Sequence, residues 1–268
     1  EEDRITLSTF CLPVEAEDFT GTVVTSSAPV AVYAGHDCAL VPYNRYACDH
    51  LEEQVPPVET LGQRYVVTRA EPADRRRNPT HPEGEPTLAV IVAAFDDTSV
   101  TFEPPSVHAP ARLMQGEALR VTSLDDYSVV GDKALAVASV LVGAGYWPQD
   151  TPVDNTSRGD PSLSFETPVE QYRHAYDFVA PDGFSPAFAN VTLARGARFT
   201  LDGTAWTGAP SATVGARDVY RVPVLAGVHH IEGATRDTRF GLRVYGYALY
   251  TSFMYPGGGD LRPITVPQ

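Results

Sequence analysis

His36, Cys38, Cys48 and His50 are the residues whose types and spacing come nearest to a built chemical site, in the pattern His-x-Cys-x9-Cys-x-His. Two thiolates and two imidazoles make a tetrahedral zinc set. Structural zinc motifs usually carry at least one cysteine pair separated by two to four residues, and this stretch has none. The competing readings are a disulfide that closes a short loop and a pair of free thiols. A β-rich chain outside the cell favours oxidation. The expectation is therefore a Cys38–Cys48 disulfide, stabilising by about 2–3 kcal/mol in the chain-entropy view. The third cysteine, Cys11, sits in the strand-like Leu7-Ser8-Thr9-Phe10-Cys11-Leu12 and reads as a small buried apolar side chain.

Other chemistry is thinly represented. There is no Gly-x-Ser-x-Gly nucleophile elbow. Glu52 and Glu53 are adjacent, so on an extended chain they point to opposite faces and cannot flank one glycosidic bond. Asp96-Asp97 sits where a hairpin turn is expected, and turn formation accounts for it better than calcium does. His229-His230 lacks a sequence-local carboxylate at metal-site spacing. Gly257-Gly258-Gly259 follows Pro256 with no helix after it, so it is no phosphate loop. No catalytic residue, metal or cofactor is expected. The alternative kept open is a hydrolase or metal-dependent enzyme using His36, Asp49 and His50.

The elements that carry these residues have a period of two. Thr22–Thr25, Val30–Tyr33, Tyr65–Thr68, Leu88–Ala93, Ser99–Phe102 and Leu119–Thr122 are short β-branched and aromatic runs. Similar runs continue to Gly241–Tyr247. The 23 prolines and 21 glycines leave little room for long helices. Glu59–Gly62 and Val169–Arg173 each read as one helical turn. The runs also repeat. Ala28–Gly35 matches Lys133–Val140 and Arg239–Gly246, and Gln54–Val67 matches Phe165–Val179. The order is X-Y-X-Y-X. This predicts an all-β fold of two similar antiparallel β-sandwich domains from an internal duplication, tightly packed. Residues 1–128 would form the first, with the cysteine-bracketed loop, and 129–268 the second, with the closing strands.

Two insertions break the repeat. Ala70–Pro86 contains Arg75-Arg76-Arg77, and Trp147–Ser164 contains Arg158-Gly159-Asp160. Loops of this length on a rigid scaffold are where function is expected. The ligand-binding candidates are Tyr146, Trp147, Arg75, Arg76, Arg77, Arg158 and Asp160. The Arg-Gly-Asp triplet itself reads as a chance occurrence.

A net charge of −14 argues against nucleic acid and anionic lipid as partners. No apolar run is long enough to span a bilayer, so this segment is not expected to insert in a membrane. The opening Glu1-Glu2-Asp3-Arg4 and the linker-like Pro263–Gln268 lead us to expect a piece of a longer parent chain.

Phe19-Thr20-Gly21-Thr22 through Pro29-Val30-Ala31-Val32 and Gly35-His36-Asp37-Cys38 resembles the IgGFc-binding protein N-terminal domain family. So do Cys48-Asp49-His50-Leu51, Glu53-Gln54-Val55-Pro56-Pro57-Val58, Gly227-Val228-His229-His230-Ile231, Val244-Tyr245-Gly246-Tyr247 and Tyr255-Pro256-Gly257-Gly258. The resemblance implies a non-catalytic extracellular module, secreted or cell-surface, of a larger and bacterial surface protein. It implies cell adhesion or binding of a protein or glycan ligand, and carries no catalytic residues.

Overall fold

The computed structural model describes residues 18–43, 47–73, 85–146 and 158–264. Among these residues, nineteen strands and two 3-10 turns make up the regular structure, and every strand pair is antiparallel. The chain is all-β, as the period of two predicts.

A two-stranded ribbon comes first: β1 (Tyr33–Leu40) and β2 (Cys48–Gln54). The next eight strands are β3 (Arg64–Val67), β4 (Thr87–Ala93), β5 (Thr98–Glu103), β6 (Ala111–Leu113), β7 (Ala118–Ser123), β8 (Tyr127–Gly131), β9 (Leu135–Leu141) and β10 (Leu163–Phe165). They form two sheets, β3-β8-β5-β6 and β10-β9-β4-β7. β4 shows why the sheets pack face to face. Thr87, Ala89, Ile91 and Ala93 are buried while Leu88, Val90 and Val92 are only partly so. One face of each strand must find another apolar face. Tyr65, Val67, Ile91, Phe102, Tyr127 and Leu135 meet in the resulting core. Each large side chain buried there contributes about 1.5–3 kcal/mol.

The remaining strands are β11 (Ala175–Ala180), β12 (Ala187–Ala194), β13 (Phe199–Leu201), β14 (Thr204–Ala205), β15 (Ala212–Val214), β16 (Arg217–Val224), β17 (Gly227–Gly233), β18 (Phe240–Ala248) and β19 (Thr251–Pro256). Their sheets are β11-β17-β13-β14 and β15-β16-β12-β18-β19. They enclose Tyr176, Phe178, Leu193, Phe199, Ile231 and Phe240.

The two strand orders correspond position by position, with β15 as one added edge strand. Even a local lock recurs. The Gly62 amide donates to Tyr65 Oη (3.1 Å), which donates to the Leu135 carbonyl (2.5 Å). The Arg173 amide donates to Tyr176 Oη (3.0 Å), which donates to the Phe240 carbonyl (2.6 Å). Both tyrosines follow a 3-10 turn, Val58–Thr60 and Val169–Gln171, where the sequence reads single helical turns.

Three expectations change. Thr22–Thr25 is not a strand: among the described residues it pairs with no sheet, and Val23 and Val24 are exposed. The strand expected at Val30–Tyr33 begins only at Tyr33. The strands from Tyr127 to Leu141, expected to open the second half, pair with β3, β5 and β4 of the first sandwich. The 128/129 division thus falls inside β8. The first sandwich extends to β10, and β18–β19 complete the second.

β18 is buried along nearly its whole length, on both faces. One face lines the second core and the other meets the first sandwich. On that outer face Arg221, Asn190 and Arg243 stand in one row across β16, β12 and β18. Arg221 Nη2 pairs with the Asp126 carboxylate, and its Nε donates to the Arg69 carbonyl at 3.1 Å. Arg243 Nη1 donates to Glu166 Oε1 (2.5 Å), and its Nη2 to the Thr68 carbonyl and hydroxyl. Asn190 Nδ2 donates to Thr68 Oγ1 (2.9 Å) and the Arg69 carbonyl (3.0 Å). A cavity of about 20 Å³ adjoins the row. Val66, Val214 and Val219 add an apolar contact between the sandwiches.

Candidate functional site

β18 and β19 are joined by the two-residue loop Leu249-Tyr250, with Tyr250 in the left-handed region at φ 51°. Three excursions of the chain are rooted around this turn. The first is the Ala70–Pro86 insertion. Ala70 and Ala73 are buried beside Tyr245, Tyr247 and Met254. The Glu71 amide donates to Tyr245 Oη (2.8 Å), and Tyr247 Oη donates to the Glu71 carbonyl (2.7 Å). The two tyrosines thus hold the start of the loop through its backbone, independent of its side chains.

The second is the Trp147–Ser164 insertion. Its return limb bridges to Leu249 at Arg158, and the Gly159 amide donates to the Ala248 carbonyl (3.0 Å). Gly159 has φ +86°, and a Cβ there would lie 3.1 Å from the Tyr247 ring and 3.3 Å from Ala73 Cβ. Glycine is needed for both conformation and space, and the roots of the two insertions touch at this point.

The third is the cysteine-bracketed loop. Cys38 and Cys48 are bonded, with Cα atoms 5.1 Å apart, as expected. Thr251 Oγ1 donates to Asp49 Oδ2 at 2.9 Å, just past the turn. The Gly143 amide donates to the Val41 carbonyl (2.8 Å), and Val41 packs with Val140, Val142 and Tyr146.

The candidate residues divide accordingly. Tyr146 lies against the apolar patch beneath the disulfide loop, and Arg158 is exposed at the turn. Asp160 is not presented outward: it is 2% exposed, and its amide donates to Ser252 Oγ at 2.9 Å. An Arg-Gly-Asp triplet with its carboxylate buried offers no ligand a charged tip. Arg75, Arg76, Arg77 and Trp147 lie outside the described residues, as does Cys11.

Burial, with the neighbouring Asp49 charge, pushes the Asp160 carboxyl up to about 7, against a weaker opposing bond from the Ala144 amide. Burial also lifts Glu53 of β2 to about 7. The alternative centre is not assembled. His36 pairs across the ribbon with Leu51, so His50, the next residue, faces the other side. His36 Nδ1 accepts from the Cys38 amide, and His50 lies 3.4 Å from Glu52. Among the described residues, no group of three or more His, Cys, Asp or Glu side chains has metal-binding geometry.

His229 and His230 find partners that their sequence neighbourhood does not reveal. His229 Nδ1 meets Asp202 Oδ2 and its Nε2 meets the Leu225 carbonyl, both at 2.8 Å. His230 Nδ1 meets Asp177 Oδ1 at 2.7 Å. With oxygen acceptors on both ring nitrogens, His229 is served best as imidazolium. Burial opposes that, but the Asp202 and Leu225 bonds outweigh it and raise its pKa.

Sequence reasoning locates the insertions and the disulfide loop but not the hub that gathers them. Its signal is the Tyr245-Gly246-Tyr247 run, whose two rings share the face that meets the insertion roots.

A family model described as IgGFc binding protein matches residues 5–246. A human protein named IgGFc-binding protein is 25% identical over 238 residues, covering 86% of this chain. The chain spans only 4% of that relative's length. No solved structure matches. With the family model matching nearly the whole chain, from the first strand-like segment into β18, the protein belongs to the IgGFc-binding protein family.

Proposed function

We propose that the chain is a non-enzymatic binding or adhesion module of a larger extracellular protein. Its ligand, a protein or a glycan, is met at the corner around the β18–β19 turn. The observation that carries this reading is the convergence there of three excursions, the insertion roots at Ala73 and Gly159 and the disulfide loop at Asp49. Two of the three are the segments that interrupt the repeat. A rigid double sandwich that gathers its irregular loops at one corner offers a composite surface on a fixed base. The human relative's name states that it binds the Fc of IgG; immunoglobulin is accordingly one protein ligand to test.

The experiment is a glycan array together with a pull-down from host or prey surfaces, immunoglobulin included. It uses the intact chain and variants with residues 74–84, 147–157 or both replaced by short Gly-Ser linkers. Binding should fall in each variant while the melting temperature stays nearly unchanged. Undiminished binding after both replacements would refute the loop corner as the contact surface.

A further inference from the structure

We propose that the outer edge of β1 is a docking site for an extended segment of another polypeptide, laid antiparallel along it and apolar at alternate residues. The inference does not depend on the ligand reading above, since it concerns a backbone edge and not the insertions.

The β1–β2 ribbon has the build of two other hairpins in the chain, β9–β10 and β18–β19. One backbone bond puts all three in register. The Val55 amide donates to the Val32 carbonyl (2.8 Å), the Glu166 amide to Val137 (2.8 Å) and the Gly257 amide to Leu242 (2.6 Å). Val32 therefore corresponds to Val137 and Leu242. Two residues earlier, Val30 corresponds to Leu135 and Phe240, the residues whose carbonyls close the two tyrosine locks.

In both sandwiches the first strand of the hairpin has a second neighbour on its other edge. β9 pairs with β4 and β18 with β12. Ile91 lies opposite Val137 and Ala93 opposite Leu135; Val191 lies opposite Leu242 and Leu193 opposite Phe240. Those four hairpin residues are buried. Among the described residues β1 pairs with β2 alone, and Val30 and Tyr33 are each 62% exposed. Residues of an antiparallel strand bond alternately to one side and the other. With the Val32 carbonyl bonded to Val55, the amides and carbonyls of Tyr33 and Gly35 turn away from β2. An unpaired edge flanked by exposed apolar side chains is a template for strand addition.

What covers the same edge elsewhere in the chain names the occupant. β4 reads Thr-Leu-Ala-Val-Ile-Val-Ala and β12 reads Ala-Phe-Ala-Asn-Val-Thr-Leu-Ala. Both are interior strands with a neighbour on each side, so a second copy has neither to lend. The docked segment is a strand of that kind from a different polypeptide. Its main chain supplies the bonds to Tyr33 and Gly35, and aliphatic side chains opposite Val30 and Val32 supply the selectivity.

The probe is a fluorescent synthetic peptide with the sequence of residues 186–196, which contains β12. It is titrated into the whole chain by anisotropy, and amide exchange is followed residue by residue. The expected result is saturable binding with slowed exchange at Tyr33 and Gly35, and no slowing at the edge strands β6 and β14. The same peptide N-methylated at the positions of Phe188, Asn190 and Thr192 should bind at least about tenfold more weakly, having lost donors to the edge. Tyr33→Pro removes an outward amide and leaves the bonds to β2 in place. Checked for folding by circular dichroism, it should weaken binding to the same degree; if it does not fold, the methylated peptide makes the same test. Absence of saturable binding, unchanged exchange at Tyr33 and Gly35, or undiminished binding of the methylated peptide would overturn the proposal. Slow exchange at Tyr33 and Gly35 without peptide would overturn it too. In a monomer by sedimentation it would show the edge already covered by its own chain, and in a dimer covered by a second copy.

Discussion

Asp160 shows how far one residue's role depends on chain that is remote from it. In the sequence it ends an Arg-Gly-Asp triplet in a long insertion, which reads as surface. Its amide is held by Ser252, more than ninety positions away, and its acidity is lowered by burial together with Asp49. No local pattern carries that information. The consequence is a pH dependence with a definite sign. Asp160 is raised from 3.8 to about 7 in the folded state, so between those values the folded chain keeps a proton that the unfolded chain releases. Stability therefore falls as pH rises through this window, and the penalty is complete above about 7. Glu53 acts in the same direction. His229 does too: its raised pKa gives a contribution that is full below 6.5 and lost as pH climbs through the folded value. Thermal unfolding should show a lower melting temperature at pH 8 than at pH 6. Asp160→Asn should flatten this slope and be the more stable protein at pH 8; His229→Asn should flatten it while losing stability at pH 6. A slope unchanged in both variants would remove these groups as its cause. The tyrosine locks make a second prediction. Tyr65→Phe strands the Gly62 amide and the Leu135 carbonyl, and should cost about 1–3 kcal/mol in urea unfolding. Tyr176→Phe should cost a similar amount.

At the level of elements, the repeated X and Y units are legible because each maps onto a recurring object. Y is a 3-10 turn leading into an edge strand, β3 or β11, and X is a strand, β1, β9 or β18. The two later X strands are flanked by partners on both sides, whereas β1 has β2 alone. That difference explains why the first copy starts several residues later than its pattern suggests. β propensity marks a segment fit for a sheet, but the neighbouring strand decides where it starts. A ribbon of two strands is marginal by itself. The Cys38–Cys48 bond and the packing of Val41 against Val140 and Val142 are what fix it. Replacing both cysteines with serine should leave the two sandwiches folded and cost at most about 2–3 kcal/mol. Amide exchange should accelerate in β1 and β2 and not in β4 or β12. Peptide mapping without reductant should recover Cys38 and Cys48 in one cross-linked species.

For the molecule as a whole, the sequence foretells two packed sandwiches but not what packs them. Arg221 and Arg243 fall in strands where an arginine reads as a solvent-facing residue. Both lie instead on the hidden outer face of the second sandwich, opposite Asp126 and Glu166 from the first sandwich and its last connection. A buried pair adds little when complete, yet removing one partner strands the other charge, at a cost of about 3–5 kcal/mol. Arg221→Ala and Arg243→Ala should each destabilise by that order. Calorimetry of the wild type should show one transition, and of the double variant two, as the sandwiches lose their coupling. A single transition persisting in the double variant would assign the coupling to the apolar contact at Val66, Val214 and Val219.

The same disulfide that steadies the first ribbon has a mechanical side. A chain pulled by its two ends carries tension along its backbone. Under pull, the antiparallel strands of a ribbon unzip rung by rung and offer little resistance. The Cys38–Cys48 bond sets a covalent stop in that unzipping, holding its two ends 5.1 Å apart across a separation of ten residues. Reduction releases about 30 Å of extra length from those residues. In single-molecule stretching, the fully extended oxidised chain should be shorter than the reduced one by that amount. The thiol state of two residues thus sets how far the ribbon lengthens when the chain is pulled.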